Sequence, residues 1–294
     1  MRIVGHETFY LRPSWLTKGI FHLKDGNAKP FNNPEVAHDL GVGRNMARSI
    51  GWWLQVTGLS TINNKSKSTK LSALGEVIFD NDPYMTRLGT WWLVHASSMT
   101  QDTILKWLFS FSRTYRFERS ALMSELFREL TQQKGKEPAQ KSIQKAVSVA
   151  LNSYAVEIPR VIADPETNLK SPLCRLNLIQ YFSSSNYYQR YNPMTATPEA
   201  LGICLNGGCN NPDDLSFSFR TSDRLQLLQA AFALGHDSLS IHDLAFQGQK
   251  ILGNEFIEVG SLNGVKTVQF KVMDSAEWAR EYYNRILSDF RAVA

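Results

Sequence analysis

Apolar positions at three- and four-residue spacing predict two consecutive helices between residues 33 and 56. Asn33 suits the N-cap of the first helix and Pro34 its first position. Gly41 provides a tight turn, after which the second helix starts at Gly43 or Arg44. Its buried face is expected to consist of Met46, Ala47, Ile50, Trp53 and Leu54. The pattern is that of a helix-turn-helix.

A small two-stranded wing is predicted directly after this pair of helices. Leu59 to Ile62 suits one strand, residues 63–68 a polar basic tip, and residues 69–71 the returning strand. Another helix begins near Ser72. The order helix, turn, helix, wing, helix is typical of a winged helix, whose second helix enters the major groove of DNA.

The rest of the chain predicts a helical middle and a mixed C-terminal part. Apolar runs over 84–130 and a helix over 143–156 indicate buried helices, whereas prolines interrupt every pattern in 157–215. After residue 220, two helices and a hairpin turning at Asn263-Gly264 suggest a second winged-helix-like unit. We therefore expect a mainly α fold with small β wings. Its regions are a winged helix-turn-helix at 1–82, a helical region at 83–156 and a mixed region at 157–294.

Charge is distributed unevenly along the 294 residues, whose formal net charge is +5. Residues 1–150 carry 20 Lys and Arg against 12 Asp and Glu, a charge of +8, and the remainder carries −3. This favours a front half that binds a polyanion. No run is long and apolar enough for a membrane span, and no secretory signal or disulfide framework is evident, so a cytoplasmic location is expected.

The second helix of the predicted motif carries the best-supported contacts to DNA. Its predicted exposed residues Arg44, Asn45, Arg48 and Ser49 include types that read guanine and adenine. Wing lysines suit phosphate or minor-groove contact. Those lysines are Lys65, Lys67 and Lys70. The alternative is a winged helix that binds protein and leaves these charges solvated.

The N-terminal segment HETFYLRPSWLTKG gathers groups that could act on a phosphodiester. His6 or Glu7 could serve as general base or metal ligand, and Arg12 or Lys18 could stabilise developing negative charge. The structural alternative is that Glu7 pairs with Arg12 or Lys18 while His6 forms structural hydrogen bonds.

Other chemistry-bearing residues are more simply explained as structural. Asp80 and Asp82 could hold Mg²⁺, but the Asp82-Pro83 step better suits a helix cap. His95 lies in the apolar run WWLVHASSM and is expected to be a hydrogen-bonded core histidine.

The cysteines and glycines form no recognised cofactor motif. A zinc site could be formed by Cys204 and Cys209 together with Cys174 and either His236 or His242. The spacing of these residues is unusual for zinc, and buried thiols are the better interpretation. The nucleotide-binding P-loop and dinucleotide patterns are both missing from the sequence.

Four segments resemble a family found in bacterial DNA phosphorothioation loci, the SspB-like DNA nickases of Ssp-type systems. They are GHETFYLRPSWLTKGI, AHDLGVGRNMARSIGWWL, KLSALGEVIFDNDPYM and LGTWWLVHASS. The resemblance is clearest over about the first 110 residues. It maps His6, Glu7, Arg12, Trp15 and Lys18 onto the family's opening motif, and Arg44, Asn45 and Arg48 onto its helix-turn-helix.

The resemblance implies a protein that nicks one DNA strand so that a partner can replace a phosphate oxygen with sulfur. It implies as partners double-stranded DNA, a cysteine desulfurase and a sulfurtransferase or ATPase subunit. A nicking endonuclease of this kind could use a divalent metal, Mg²⁺ or Mn²⁺. The family pattern has an aspartate where this chain has Ala146. If that acid is catalytic, this chain lacks it.

Two other functions fit the same residues. The chain could be a non-catalytic winged-helix adaptor or regulator that binds DNA, or an assembly protein whose acidic, aromatic-rich second half binds partner subunits. A homodimer would fit a helix-turn-helix protein that addresses paired half-sites.

Overall fold

The predicted pair of helices forms, and its first helix begins where the capping residues predict. In a computed structural model of the chain, the Asn33 side chain accepts a hydrogen bond from the Glu35 backbone N–H at the start of α2 (Pro34–Asp39). Gly41 then adopts a φ of 62°, a left-handed conformation that favours glycine. This turn leads into α3 (Arg44–Val56). The structure describes residues 1–26, 29–63, 68–110, 114–158, 170–206, 216–218, 224–235 and 240–293.

The structure is mainly helical, with three small sheets in its described part. The remaining helices are α1 (Trp15–Lys24), α4 (Ala73–Asn81), α5 (Leu88–Thr100), α6 (Ile104–Ser110), α7 (Arg119–Lys134), α8 (Gln140–Tyr154), α9 (Pro198–Asn206), α10 (Arg224–Ala233), α11 (Ser240–Leu252) and α12 (Ser275–Val293). The strands are β1 (Ser60–Ile62), β2 (Thr69–Leu71), β3 (Arg116–Phe117), β4 (Ala155–Ile158), β5 (Ile179–Phe182), β6 (Tyr187–Arg190), β7 (Ser216–Ser218), β8 (Ile257–Leu262) and β9 (Val265–Phe270).

The predicted wing is an antiparallel hairpin of β1 and β2, followed by α4. The Ser72 side chain caps α4 by accepting a hydrogen bond from the Gly75 N–H at 3.0 Å. Gly75 also permits a close crossing, since a Cβ there would lie 2.3 Å from the Leu59 carbonyl oxygen. The order of elements is therefore the expected one, and its assignment as a winged helix stays a prediction.

A four-stranded sheet combines β5 and β6, which lie in the proline-interrupted region 157–215, with β3 and β4, which begin within the region predicted to be helical. Its order is β3-β6-β5-β4, with β4 parallel to β5 and the other pairs antiparallel. The expected helix over 143–156 is too long at its C-terminus. It ends at Tyr154, and Val156 instead pairs with Gln180 of β5.

The C-terminal part contains the expected helices and hairpin, with one added strand. Asn263 and Gly264 both adopt a positive φ, of 52° and 75°, as a tight turn between β8 and β9 requires. β7 pairs with β9 to complete a three-stranded sheet. The assignment of α10, α11 and this sheet as a second winged helix stays a prediction.

One hydrophobic core connects residues from the front, middle and end of the chain. A buried polar network docks α12 against α5: the Thr90 hydroxyl donates to Asp82 at 2.7 Å and lies 2.8 Å from the Tyr283 hydroxyl. The boundaries at residues 82 and 156 stay predictions. Within the described residues, no helix is both long enough and apolar enough to cross a bilayer.

Candidate nucleic-acid interface

The N-terminal segment packs along one face of α3. The Ser49 hydroxyl donates to the His6 carbonyl oxygen at 3.0 Å, and the Trp53 indole N–H donates to the Phe9 carbonyl oxygen at 3.3 Å. The Trp52 ring meets the His6 ring edge-on, with centroids 5.4 Å apart. The structure therefore brings together the opening motif and the predicted recognition helix.

Ser49 is fully buried beneath this segment, with 0% of its surface exposed. Its prediction as an exposed DNA contact is wrong. Successive helical residues are about 100° apart, so Ser49 lies on the same side as Trp52 and Trp53, the side that the N-terminal segment covers. Its hydroxyl positions the His6 backbone.

His6 is buried, and both of its ring nitrogens are occupied. Nδ1 accepts the Thr8 backbone N–H at 3.1 Å, so Nε2 carries the proton and donates it to the Ile3 carbonyl oxygen at 3.1 Å. Burial lowers the pKa of His6, and the bond to Ile3 opposes that shift only in part. A neutral ring with both nitrogens occupied has no lone pair for a substrate proton or a metal ion. In this conformation His6 has the structural role, and its prediction as general base or ligand is not supported.

Glu7 lies at the tip of a strained turn that His6 holds in place. Glu7 and Thr8 have φ values of 49° and 69°, and the Phe9 N–H donates to the His6 carbonyl oxygen at 2.8 Å. Two consecutive positive φ values are those of a type I′ turn, which favours glycine or asparagine. Non-glycine residues held in this region cost free energy and often mark functional sites. The half-buried Glu7 is thus displayed beside α3.

Arg12 and Lys18 contact groups other than Glu7 in the described part of the chain. The Arg12 guanidinium lies over the rings of Phe9 and Trp15, 5.2 and 5.6 Å from their centroids. Lys18 donates to the Leu40 carbonyl oxygen at 3.0 Å and so ties α1 to the turn between α2 and α3. The structural alternative in which either residue pairs with Glu7 is not observed.

The solvent-facing side of α3 carries the remaining predicted DNA contacts. Arg44, Asn45 and Arg48 are exposed within its first two turns. By helical spacing Asn45 lies one turn before Ser49, so this exposed group borders the strip that the N-terminal segment covers. Lys70 is exposed on β2, whereas the predicted contacts Lys65 and Lys67 lie outside the described residues.

Asp80 and Asp82 have different surroundings and different structural roles. The buried Asp82 accepts hydrogen bonds from the backbone N–H groups of Thr86 and Arg87, both at 3.0 Å, and so fixes the loop before α5. The exposed Asp80 lies 3.8 Å from the Lys24 ammonium. The prediction that the Asp82-Pro83 step caps the next helix is wrong, because α5 begins at Leu88 with Arg87 at its N-cap, and Asp82 instead ends α4.

His95 is the core histidine that its apolar surroundings predict. Its Nε2 donates to the Ala233 carbonyl oxygen at 2.7 Å, and its Nδ1 accepts from the Tyr154 hydroxyl at 2.8 Å. Complete burial lowers the pKa of His95 to about 4. The ring therefore stays neutral and joins α5 to α8 and α10.

The two described cysteines, Cys174 and Cys204, are half-buried free thiols. Burial raises the pKa of both Cys174 and Cys204 to about 12, which keeps them protonated at neutral pH. Two other candidates of the zinc hypothesis, Cys209 and His236, lie outside the described residues. Where the chain is described, no three His, Cys, Asp or Glu side chains gather in a group that could hold a metal ion. The described part of the chain thus shows no preformed cluster of three such ligands for zinc, Mg²⁺ or Mn²⁺.

A cavity of about 580 Å³ opens between the start of α1 and the 3₁₀ helix Pro172–Leu176. Its lining includes Ser14 and Thr17 of the opening motif and the cationic residues Lys170 and Arg175. Sequence reasoning missed both cations, because they follow a proline-interrupted region and only the fold brings them to α1.

Comparisons with known proteins bear on the fold and the family of the chain. No curated protein matches the chain significantly. A crystal structure of SspB aligns with a TM-score of 0.77 and 18% identity, covering 98% of this chain and 87% of that one. A magnesium ion-bound crystal structure of SspB gives 0.75 and 17%, covering 98% and 95%. This chain therefore has the fold of those structures. Residues 4–219 match the family described as protein of unknown function (DUF4007), and the chain belongs to that family.

Proposed function

We propose that this protein binds duplex DNA through α3 and the wing, as a component of a bacterial DNA phosphorothioation system. The observation that carries the proposal is the exposed group Arg44, Asn45 and Arg48 at the start of α3, beside the opening motif. The shared fold with SspB and the resemblance to the phosphorothioation-associated family support the choice of system.

The chemistry of these side chains suits base recognition. Arginine can donate two hydrogen bonds to guanine, and asparagine can pair in the same way with adenine. Lys70, exposed on the wing, suits a phosphate contact, which adds affinity but little sequence information. The charge of +8 on residues 1–150 favours the approach of a polyanion.

Arg44→Ala and Arg48→Ala are each expected to weaken specific duplex binding by about 1–3 kcal/mol, because each removes a base contact. The measurement is a fluorescence-anisotropy titration at several salt concentrations. Arg128→Ala removes an exposed arginine from α7 and serves as the matched control. Equal affinities of all three variants and the unaltered protein would contradict the proposal.

A second candidate is a strand-nicking endonuclease, favoured by the strained turn that displays Glu7 beside α3. The two candidate general bases of the opening motif are His6 and Glu7. Because both His6 nitrogens are occupied, the Glu7 carboxylate is the one that could activate water. Mg²⁺ commonly binds through one or two protein carboxylates together with substrate phosphates. Arg12 and Lys18 are proposed to stabilise negative charge that develops on the phosphate.

Glu7→Gln is expected to lower plasmid nicking at least about 100-fold if Glu7 is the general base. Supercoiled plasmid is incubated with the purified protein and Mg²⁺ or Mn²⁺, and the open-circle product is quantified. Glu118→Gln changes an exposed glutamate at the start of α7 and is the control. Equal nicking by both variants removes Glu7 from the mechanism. Specific DNA binding without nicking in either metal favours the adaptor or regulator.

The partner assignments follow from the same resemblance. We propose that the chain acts with a cysteine desulfurase and a sulfurtransferase or ATPase subunit, and that a homodimer would place two copies of α3 on paired half-sites.

A further inference from the structure

The cavity beside α1 has the composition of a small-molecule site rather than of a packing defect. Its apolar wall includes Leu16, Met85, Trp91 and Val156, and its volume of about 580 Å³ lies within the range of known ligand pockets. The Trp91 indole N–H donates to the Met85 carbonyl oxygen at 2.8 Å, which fixes the orientation of the ring. Tyr84, 68% exposed, adds a second aromatic ring.

The described charged residues that line this cavity are cations. Lys170 and Arg175 are both exposed, and the part of the lining that the structure describes contains neither aspartate nor glutamate. Arg175 donates one hydrogen bond to the Thr86 carbonyl oxygen at 3.0 Å, which positions its guanidinium and leaves other N–H groups available. Lys170 lies close enough to Cys174, another lining residue, to influence its pKa. A ligand with negative charge is therefore favoured.

The start of α1, across the cavity from the 3₁₀ helix Pro172–Leu176, adds hydrogen-bond donors. Ser14, which precedes the helix, has a φ of 64° and forms no side-chain cap, and the first turn contains no acidic residue. The backbone N–H groups of Leu16 and Thr17 in this turn, two residues that line the cavity, thus supplement the two cations. The Ser14 and Thr17 side chains contribute hydroxyl groups to the same cavity.

We propose that this cavity binds one nucleotide unit, with its phosphate contacting Lys170 and Arg175 and its base lying against Trp91 and Tyr84. The unit is either a free nucleotide or a nucleotide rotated out of a DNA strand, since the two share this chemistry. The inference deepens the proposed function and rests on it for the second source, because the opening motif that packs on α3 also supplies Ser14 and Thr17.

The first arm of the test uses a free nucleotide. Binding of deoxyadenosine monophosphate is measured by calorimetry for the unaltered full-length protein, for K170A/R175A and for K141A. Lys141 is an exposed lysine of α8 that does not line the cavity. Loss of two charge-assisted contacts is expected to weaken binding by roughly tenfold or more, with K141A unchanged. Equal unfolding midpoints of the variants establish that the fold is retained.

The second arm uses duplex DNA carrying 2-aminopurine, whose fluorescence rises when the base leaves the stack. A rise with the unaltered protein and K141A, lost in K170A/R175A, identifies an extruded nucleotide as the source. Nucleotide binding without a rise identifies a free nucleotide. If neither probe distinguishes K170A/R175A from K141A, the inference is overturned.

A separate measurement tests the proposed binding of duplex DNA through α3. R48A is expected to lose duplex affinity but to bind deoxyadenosine monophosphate normally, because Arg48 does not line the cavity. Unchanged duplex binding by R48A would contradict duplex docking through α3 and leave the nucleotide cavity standing.

Discussion

His6→Ala is expected to lower the free energy of unfolding by about 3 kcal/mol, because it removes a buried aromatic ring and leaves a buried carbonyl oxygen and a partly buried N–H without partners. The Thr8 N–H and the Ile3 carbonyl oxygen both bind the His6 ring, which is 4% exposed. The ring also packs against Trp52. Urea denaturation followed by tryptophan fluorescence measures the change.

Glu7→Gln is the matched control for this prediction, since Glu7 is the adjacent, half-buried residue of the same turn. It is expected to change stability by no more than about 0.5 kcal/mol. If His6→Ala were as stable as Glu7→Gln yet lost nicking, His6 would have a chemical role after all. Loss of activity together with stability would instead mean that His6 acts by holding the turn that displays Glu7.

The helix-turn-helix and wing could be predicted because their signals are local. Asn33 and Pro34 specify where α2 begins, Gly41 adopts the left-handed φ of the turn, and Lys70 is the exposed residue between two buried neighbours on β2. Each of these features depends on residues within a few positions in the chain. The positions of Arg44, Asn45 and Arg48 on the exposed side of α3 follow from the same periodicity.

The role of Ser49 could not be predicted, because its burial depends on a segment more than 40 residues away. The Ser49 hydroxyl donates to the His6 carbonyl oxygen, so the packing of the N-terminal segment against α3 buries both residues. Helical periodicity determines which residues share a face, but it does not reveal what covers that face. The two positive φ values at Glu7 and Thr8 are likewise invisible in the sequence, since neither residue type favours them.

The four-stranded sheet was missed for a related reason. Its strands are four residues or shorter, and β3 pairs with β6 across about 70 residues of chain. Such short strands carry little period-two signal, and prolines interrupt the surrounding region. The cavity cations Lys170 and Arg175 depend on the same long-range packing, which brings the 3₁₀ helix Pro172–Leu176 to the start of α1.

Acid is expected to destabilise the protein through His95 by about 3 kcal/mol between pH 6.5 and pH 4. The folded-state pKa of about 4 lies below the ordinary value of 6.5. Above pH 6.5 the ring is neutral in both states and contributes no pH dependence. Below it, the unfolded chain binds a proton that the buried ring cannot, so stability falls with pH and this contribution levels off near pH 4.

The cause is the complete burial of the ring, which keeps water from solvating a charged imidazolium; the hydrogen bond to Ala233 opposes this shift only in part. Nε2 already donates to the Ala233 carbonyl oxygen, and the Tyr154 hydroxyl donates to Nδ1. The free energy of unfolding is measured by urea denaturation at several pH values for the unaltered protein, His95→Gln and His38→Gln. His38, whose side chain is 93% exposed, is the control and should preserve the pH dependence. NMR titration of the unaltered protein gives an independent test: a His95 pKa near 6.5 in the folded state would contradict the prediction, because a freely titrating ring could not produce the acid-dependent loss.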